Sequence, residues 1–225
     1  MIQSLFDRLA AGYDQGVVES DRDNEFPFAG YQRTLDLIAA EIAGRARLGR
    51  AKVLDLGIGT GLFETRLAPE TIEVTGIDLS GGMLEICRLR LPEATLLQGD
   101  FTRELPEVSG GFDAIVSTWA MHHLPETDLV AFLDRLVGLL APFGRIYVGD
   151  VLFADGRERE ACRLANLEAW DPTEHYHTFE AVLSGLGGRY AVSFMKTSFC
   201  AGILIVERFH ELSAPESERV LKRCR

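Results

Sequence analysis

The sequence predicts an α/β protein: a doubly wound, seven-stranded, mainly parallel sheet that closes with an antiparallel C-terminal hairpin strand. Three observations carry this prediction. Short apolar runs alternate with amphipathic stretches through the first two thirds of the chain, at the rhythm of βαβ units. The first of these runs ends in a glycine-rich turn, Gly57-Ile-Gly-Thr-Gly61. The last two runs lie only a few residues apart, too close for the long crossover that a parallel pair needs.

Each element follows from local pattern. Phe28 to Ile42 spaces its apolar residues as an amphipathic helix that lies against the sheet. Ala51 to Leu56 is a buried strand, and Thr60 to Leu67 reads as the helix after it, stopped near Pro69. Ile72 to Ile77 is the second strand. Ser80 to Leu91 is the next helix, with Ser80 as its cap and Pro92 as its end. Ala94 to Gln98 is the third strand, and Phe112 to Ser117 is the fourth, entered through Gly110-Gly111. Glu126 to Leu140 places Leu129, Phe132, Leu133, Leu136 and Leu140 on one helical face, closed by Pro142 and Gly144. Arg145 to Val148 is the fifth strand. Arg157 to Ala169 and Thr178 to Leu186 read as helices, and Tyr190 to Met195 with Phe199 to Arg208 form the closing hairpin.

A chain of 225 residues, 47% hydrophobic and 25% charged, suits a single domain with a continuous core. Its parts are an N-terminal segment and helix (1–45), a core (51–150), a connecting segment with the character of a substrate lid (151–188), the hairpin (189–208) and a charged tail (209–225). The net charge of −11 and pI near 4.9 leave no basic run to neutralise phosphates, which excludes nucleic acid as a partner. Cys87, Cys162, Cys200 and Cys224 form no CxxC pair, so neither a metal site nor a redox motif is expected, and a reduced setting is. Met1 to Ala10 carries Asp7 and Arg8 without an apolar signal core, and Cys200 to Val206 is too short to span a bilayer. The expectation is a cytoplasmic protein, monomer or homodimer, that handles a small molecule away from membranes.

The chemistry-bearing signal starts at Val53-Leu-Asp-Leu-Gly-Ile-Gly-Thr-Gly61. The strand delivers Asp55 to its carboxyl end, and the glycines let the backbone turn sharply and a ligand approach closely. Ligands of open parallel sheets bind in that crevice. Asp78, in Gly76-Ile-Asp-Leu-Ser80, ends the second strand, where a carboxylate takes both ribose hydroxyls. Asp100, in Gln98-Gly-Asp-Phe101, ends the third, where it can accept an adenine amine while Phe101 packs on the ring. Standing alone, Asp78 could cap a helix and Asp100 a turn. Three acidic residues ending three consecutive strands point to a nucleoside ligand.

These motifs resemble the class I, Rossmann-like S-adenosylmethionine-dependent methyltransferases of the bacterial small-molecule type. The resemblance covers about the first 150 residues by motif. It includes Phe112-Asp-Ala-Ile-Val-Ser-Thr-Trp-Ala-Met-His-His-Leu124 and Phe6-Asp-Arg-Leu-Ala-Ala-Gly-Tyr-Asp14, which looks like a segment that lies over the cofactor. The resemblance implies S-adenosylmethionine as cofactor and S-adenosylhomocysteine as product. Gly57 and Gly59 would line the methionine portion, Asp78 with Leu79 the ribose, and Asp100 with Phe101 the adenine. Tyr13 would close over the sulfonium, Asp55 would act on the ammonium through water, and Ser117 would complete the site. Two alternatives remain: a protein that binds this cofactor without transferring methyl, and a NAD(P)-dependent oxidoreductase. The second needs a small residue at Leu62 for GxGxxG.

The acceptor is not readable, but some classes are excluded. Ser117-Thr-Trp-Ala120 lacks the Asn/Asp-Pro-Pro-Tyr/Phe signature of enzymes that methylate base or glutamine amines. His123 and Asp150 are the candidate catalytic residues, since both are expected near strand ends that face the crevice. His122 joins them as a substrate-side candidate. Trp170-Asp-Pro-Thr-Glu-His-Tyr-His177 has the make-up of a lid, with Trp170, His175, Tyr176 and His177 as its candidate contacts.

Overall fold

Alternating burial along the strands sorts their side chains into two cores. In β1 (Ala51–Leu56), Val53 joins the core on one face of the sheet, whereas Leu54 and Leu56 join the core on the other. Such a strand must be covered on both sides, which is the arrangement of a parallel sheet flanked by helices. The computed structural model describes residues 12–45 and 50–209. Phe6 to Ala11 of the N-terminal motif and the charged tail from 210 on, with Cys224, lie outside them.

The remaining strands are β2 (Ile72–Asp78), β3 (Thr95–Gln98), β4 (Phe112–Thr118), β5 (Leu140–Phe153), β6 (His177–Thr178), β7 (Ala191–Lys196) and β8 (Ala201–Glu207). Their order is β3-β2-β1-β4-β5-β8-β7, with β6 paired to β5. β1 through β5 run parallel, and β8 is antiparallel to both neighbours. The chain order reverses between β1 and β4, which makes the carboxyl ends of these strands the natural crevice.

Among the described residues, six helices surround the sheet: α1 (Tyr13–Arg22), α2 (Tyr31–Arg45), α3 (Gly81–Arg90), α4 (Glu126–Val137), α5 (Gly156–Ala165) and α6 (Phe179–Leu186). α2 and α3 feed one core through Leu35, Ile38, Ile42, Leu84 and Cys87. α4 and α6 feed the other through Leu129, Phe132, Leu133, Leu136, Val182 and Leu186. Each such side chain contributes roughly 1.5–3 kcal/mol by leaving water. Ser80 caps α3 by accepting the Met83 amide at 3.1 Å. Asp155 caps α5 through the Arg157 and Glu158 amides, and Gly187, at φ +59°, stops α6. Among the described residues, no helix is long and apolar enough to cross a membrane.

The structure corrects four expectations. Thr60 to Leu67 is not an α-helix but a bend followed by a 3-10 turn over Glu64–Arg66. Gly61 sits at φ +76°, outside helical space, and too few residues remain before Pro69 to build a second turn. The helix from Glu126 ends at Val137, because Leu140 belongs to β5. β5 runs far beyond Arg145–Val148, so Asp150 lies inside the strand and does not end it. Finally, the sheet has an eighth strand, β6, whose two residues carry no periodicity for a sequence pattern to register.

Candidate active site

A cavity of about 250 Å³ opens over the carboxyl ends of β1, β2, β3 and β4. Its floor is the turn after β1. Gly57 adopts φ +83°, and a Cβ there would stand 2.6 Å from the Ala120 Cβ. Only glycine fits, in both conformation and space. The turn is tied to β2: the Gly57 and Ile58 amides donate to the Ile77 carbonyl at 2.8 and 3.1 Å, and the Gly59 amide donates to Asp78 Oδ2 at 2.9 Å. Asp78 Oδ1 accepts the Ser80 amide at 2.8 Å.

Asp100 and Phe101 follow β3 and form the far wall. Asp100 Oδ1 accepts the Thr102 amide at 3.1 Å, and its other oxygen pairs with Arg103 at 3.2 Å. The Phe101 ring stacks on Phe132 of α4, with centroids 5.8 Å apart. α1 and the segment after it roof the cavity. Asp14 accepts the Thr60 hydroxyl at 2.7 Å and pairs with Arg90 at 2.9 Å, while Arg90 also donates to the Thr60 carbonyl at 2.9 Å. This triangle straps the start of α1 onto the glycine turn. Tyr13 beside it is half-buried, and its desolvation together with the Asp78 charge pushes its phenol pKa up.

Trp119 lines the cavity just beyond β4. It follows β4 at φ +50°, a conformation that costs a bulky side chain of order 1–3 kcal/mol and persists only where the surroundings impose it. Here its amide donates to the Gly149 carbonyl at 2.9 Å, and its indole N–H donates to the Pro27 carbonyl at 3.1 Å. Its ring packs at 4.6 Å against Tyr31. The sequence motif Phe112–Leu124 includes Thr118 and Trp119 without assigning them to the site, and Tyr31 is not singled out at all, although all three line the cavity. A tryptophan immediately after a strand that ends at the crevice was the available signal.

Beneath the floor lies a carboxyl pair. Asp55 and Glu64 are 1% exposed each. Asp55 Oδ1 and both Glu64 oxygens find no N–H or O–H donor in the structure. A proton held between the two groups supplies the missing donor. Burial, then the charge of Glu64, holds Asp55 well above the usual carboxylate range, and burial raises Glu64 as well.

A second buried network lies at the turn after β4. Asp150 accepts the amides of Met121 (3.0 Å), His122 (3.2 Å) and Val151 (2.7 Å), and its Oδ1 meets His122 Nδ1 at 2.7 Å. His122 Nε2 faces Glu174 Oε1 at 3.5 Å, and the other Glu174 oxygen accepts the Tyr176 hydroxyl at 2.6 Å. Burial works against a charged His122, but Asp150 and Glu174 outweigh it and raise its pKa. Burial also raises Asp150, but the His122 charge and hydrogen bond outweigh it, leaving Asp150 below the usual carboxylate range. Burial and the neighbouring His122 lower the pKa of His123.

The structure gathers Tyr13, Gly57, Gly59, Asp78, Leu79, Asp100, Phe101 and His123 around one cavity. Eight other candidates do not line it. Asp55 sits beneath the floor, and Ser117 points between strands, where its hydroxyl donates to the Leu56 carbonyl at 2.7 Å. Asp150 and His122 are enclosed in their own network. Trp170 and Tyr176 turn away to pack with Phe26, at 5.3 and 5.5 Å. His177 is buried against the Met121 carbonyl, and His175 is exposed, with its amide donating to the His122 carbonyl at 2.7 Å.

An open α/β sheet with a glycine-floored crevice at its switch point and acidic strand ends defines a nucleoside-cofactor enzyme. Comparison with known proteins narrows this class. A methyltransferase-domain family model matches residues 53–144. The chain is 33% identical over 199 residues to an uncharacterized methyltransferase of Geobacillus kaustophilus, a match covering 84% of this chain and 87% of the relative. An uncharacterized methyltransferase of Bacillus licheniformis is also 33% identical, over 77% of this chain and 82% of its own. The fold is shared with magnesium protoporphyrin IX methyltransferase of Synechocystis, solved with S-adenosylhomocysteine (TM-score 0.64, 18% identity, covering 81% of this chain and 85% of that one). It is shared too with DhpI in its S-adenosylhomocysteine complex (TM-score 0.63, 20% identity, 93% and 96%). The chain belongs to the methyltransferase family.

Proposed function

We propose that the strand-end cavity binds S-adenosylmethionine and that the protein transfers its methyl group to a small-molecule acceptor, releasing S-adenosylhomocysteine. The observation that carries this reading is the convergence of Gly57, Asp78, Asp100 and Phe101, from three successive strand ends, on one cavity. The residues fit the cofactor: at Gly57 a side chain would fill the cradle where the methionine portion lies. Asp78 and Leu79 take the ribose, Asp100 and Phe101 the adenine, and Tyr13 the sulfonium end. Asp55 acts from below, as a carboxylate beneath the ammonium.

When bound, S-adenosylmethionine supplies an electrophilic methyl on a sulfonium whose departure yields a neutral thioether. The protein then needs to align the acceptor and exclude water. Tyr13, Tyr31 and Trp119 form the apolar wall that does so. His123, its pKa lowered, presents a neutral imidazole whose ring nitrogen can take the proton of an acceptor hydroxyl or amine. Asp150 is a positioning residue, acting through His122 and the backbone amides of the turn after β4. The acidic net charge disfavours nucleic acid as the acceptor. Among the described residues, Cys87, Cys162 and Cys200 are buried free thiols, which supports a cytoplasmic location.

The test is turnover. Purified protein is incubated with S-adenosylmethionine and a panel of small phenols, amines, thiols and carboxylic acids, and S-adenosylhomocysteine release is recorded. Release that depends on one acceptor class supports the reading. Cofactor binding with no release across the panel favours a binding protein without transferase activity.

A further inference from the structure

We propose that His122, His123 and Glu174 form a binding site for a divalent transition-metal cation of the zinc class, placed at the acceptor end of the cavity. The two histidines sit on the 3-10 turn Met121–His123 after β4, and Glu174 comes from the loop between α5 and β6. One ligand atom from each lies within 4.8 Å of the other two. His122 Nε2 and Glu174 Oε1 are 3.5 Å apart. Two ligands on a tetrahedral zinc, each about 2.1 Å from the ion, stand about 3.4 Å apart. This pair therefore already has ligand spacing, and a small rotation of the partly buried His123 ring closes the set.

The surroundings hold the ligands as a metal site requires. Ionised Asp150 only accepts hydrogen bonds, so the proton at their 2.7 Å contact belongs to His122 Nδ1. The other ring nitrogen, Nε2, is thereby aimed at a Glu174 carboxylate oxygen. A metal ion in place of a proton would bond both atoms at this 3.5 Å spacing. A carboxylate behind a histidine ligand is the usual outer partner of a metal-bound imidazole, and Tyr176 orients Glu174 in the same way at 2.6 Å. Asp150 is itself fixed by three backbone amides.

Two imidazoles and a carboxylate select zinc, cobalt, nickel or iron(II) over magnesium and calcium, which prefer oxygen. Three protein ligands also leave a coordination position open. His123 lines the cavity, so that position faces the acceptor. An acceptor oxygen bound there becomes more acidic. The lone pair of His123 cannot both ligate and take a proton, so the metal-loaded protein exchanges the second role for the first.

The site stands independently of the methyl-transfer reading, and one experiment separates them. Metal-stripped, untagged protein is titrated with Zn2+ by calorimetry and with Co2+ by visible absorption, and parallel samples are titrated with S-adenosylhomocysteine. The expected result is one tight equivalent of metal per chain, weakened at least about tenfold in both Glu174→Gln and His123→Ala. His175→Ala, which removes the exposed neighbouring imidazole, leaves the affinity unchanged. No uptake by the wild-type protein overturns the site, leaving a hydrogen-bonded network with a proton on Nε2. Uptake that survives both ligand substitutions, or that is lost in His175→Ala, overturns it equally. The S-adenosylhomocysteine titration reports the cofactor cavity in every case.

Discussion

Asp78 accepts the Gly59 amide at 2.9 Å, so the acidic end of β2 and the glycine turn after β1 form one rigid unit. The same carboxylate accepts the Ser80 amide at the start of α3, which joins three elements at the cavity floor. Each carboxylate oxygen can accept more than one hydrogen bond, so this anchoring is compatible with a ribose diol. Asp78→Ala removes the diol acceptor and leaves two amides without their partner. The account predicts a loss of about 2 kcal/mol in S-adenosylhomocysteine binding, roughly thirtyfold in Kd, read by calorimetry. Unchanged affinity would remove Asp78 from the ribose.

Gly57→Ala tests the floor. The new methyl meets Ala120 at 2.6 Å, and the backbone must hold φ +83° with a side chain. Both effects oppose folding, by about 1–3 kcal/mol together, and the shifted floor fills the methionine end of the cavity. The prediction is a lower urea midpoint together with loss of cofactor binding. A variant of wild-type stability that binds normally would contradict the geometry.

The Asp55–Glu64 pair predicts a pH dependence with a definite sign. Both native pKa values lie above those of free carboxyl groups, so the folded state holds the shared proton more tightly than the unfolded chain does. The pair's contribution is complete below the ordinary carboxylate range and is lost as pH rises through the native value. Asp55→Asn should therefore flatten the decline of stability with rising pH seen in denaturant titrations of the ligand-free wild type. Parallel pH profiles for the two proteins would show that the pair holds no such proton. Cofactor binding, which places an ammonium above Asp55, should also release a proton, detectable as a buffer-dependent binding enthalpy.

Asp14 straps α1 to the glycine turn through Thr60 and Arg90. Its removal leaves the Arg90 charge partly buried without its carboxylate. Arg90→Ala or Asp14→Ala should speed cofactor dissociation by about tenfold, the equivalent of one charged hydrogen bond, in a stopped-flow displacement. A dissociation rate equal to wild type in both would mean that α1 does not retain the ligand.

The glycine floor and acidic wall of the cavity were legible because their residues sit at strand ends, where sequence position fixes spatial position. Asp78, Asp100 and the glycines needed only the strands to be located. The network around His122 was not legible. Asp150 was expected at a strand end, but β5 continues past it to Phe153, and its neighbours became visible only once His122 had turned back on it. Glu174 lies far from His122 in sequence, in a loop read as a lid, and only the packing of Trp170 and Tyr176 on Phe26 brings it into place. Ser117 does not line the cavity because its hydroxyl is taken up by the Leu56 carbonyl, whereas Thr118, the next residue along the strand and so on the other face, does line it. Gly61 was read as part of a helix start, and its left-handed backbone is a property that sequence pattern does not reveal.

The most direct test is calorimetric titration of the purified protein with S-adenosylmethionine and S-adenosylhomocysteine, beside NADH. The account predicts saturable one-to-one binding of the first two in the micromolar range (a Kd of about 1 μM corresponds to roughly −8 kcal/mol) and none of NADH. Binding of NADH alone, or displacement of S-adenosylhomocysteine by it, would contradict the assignment of the cavity.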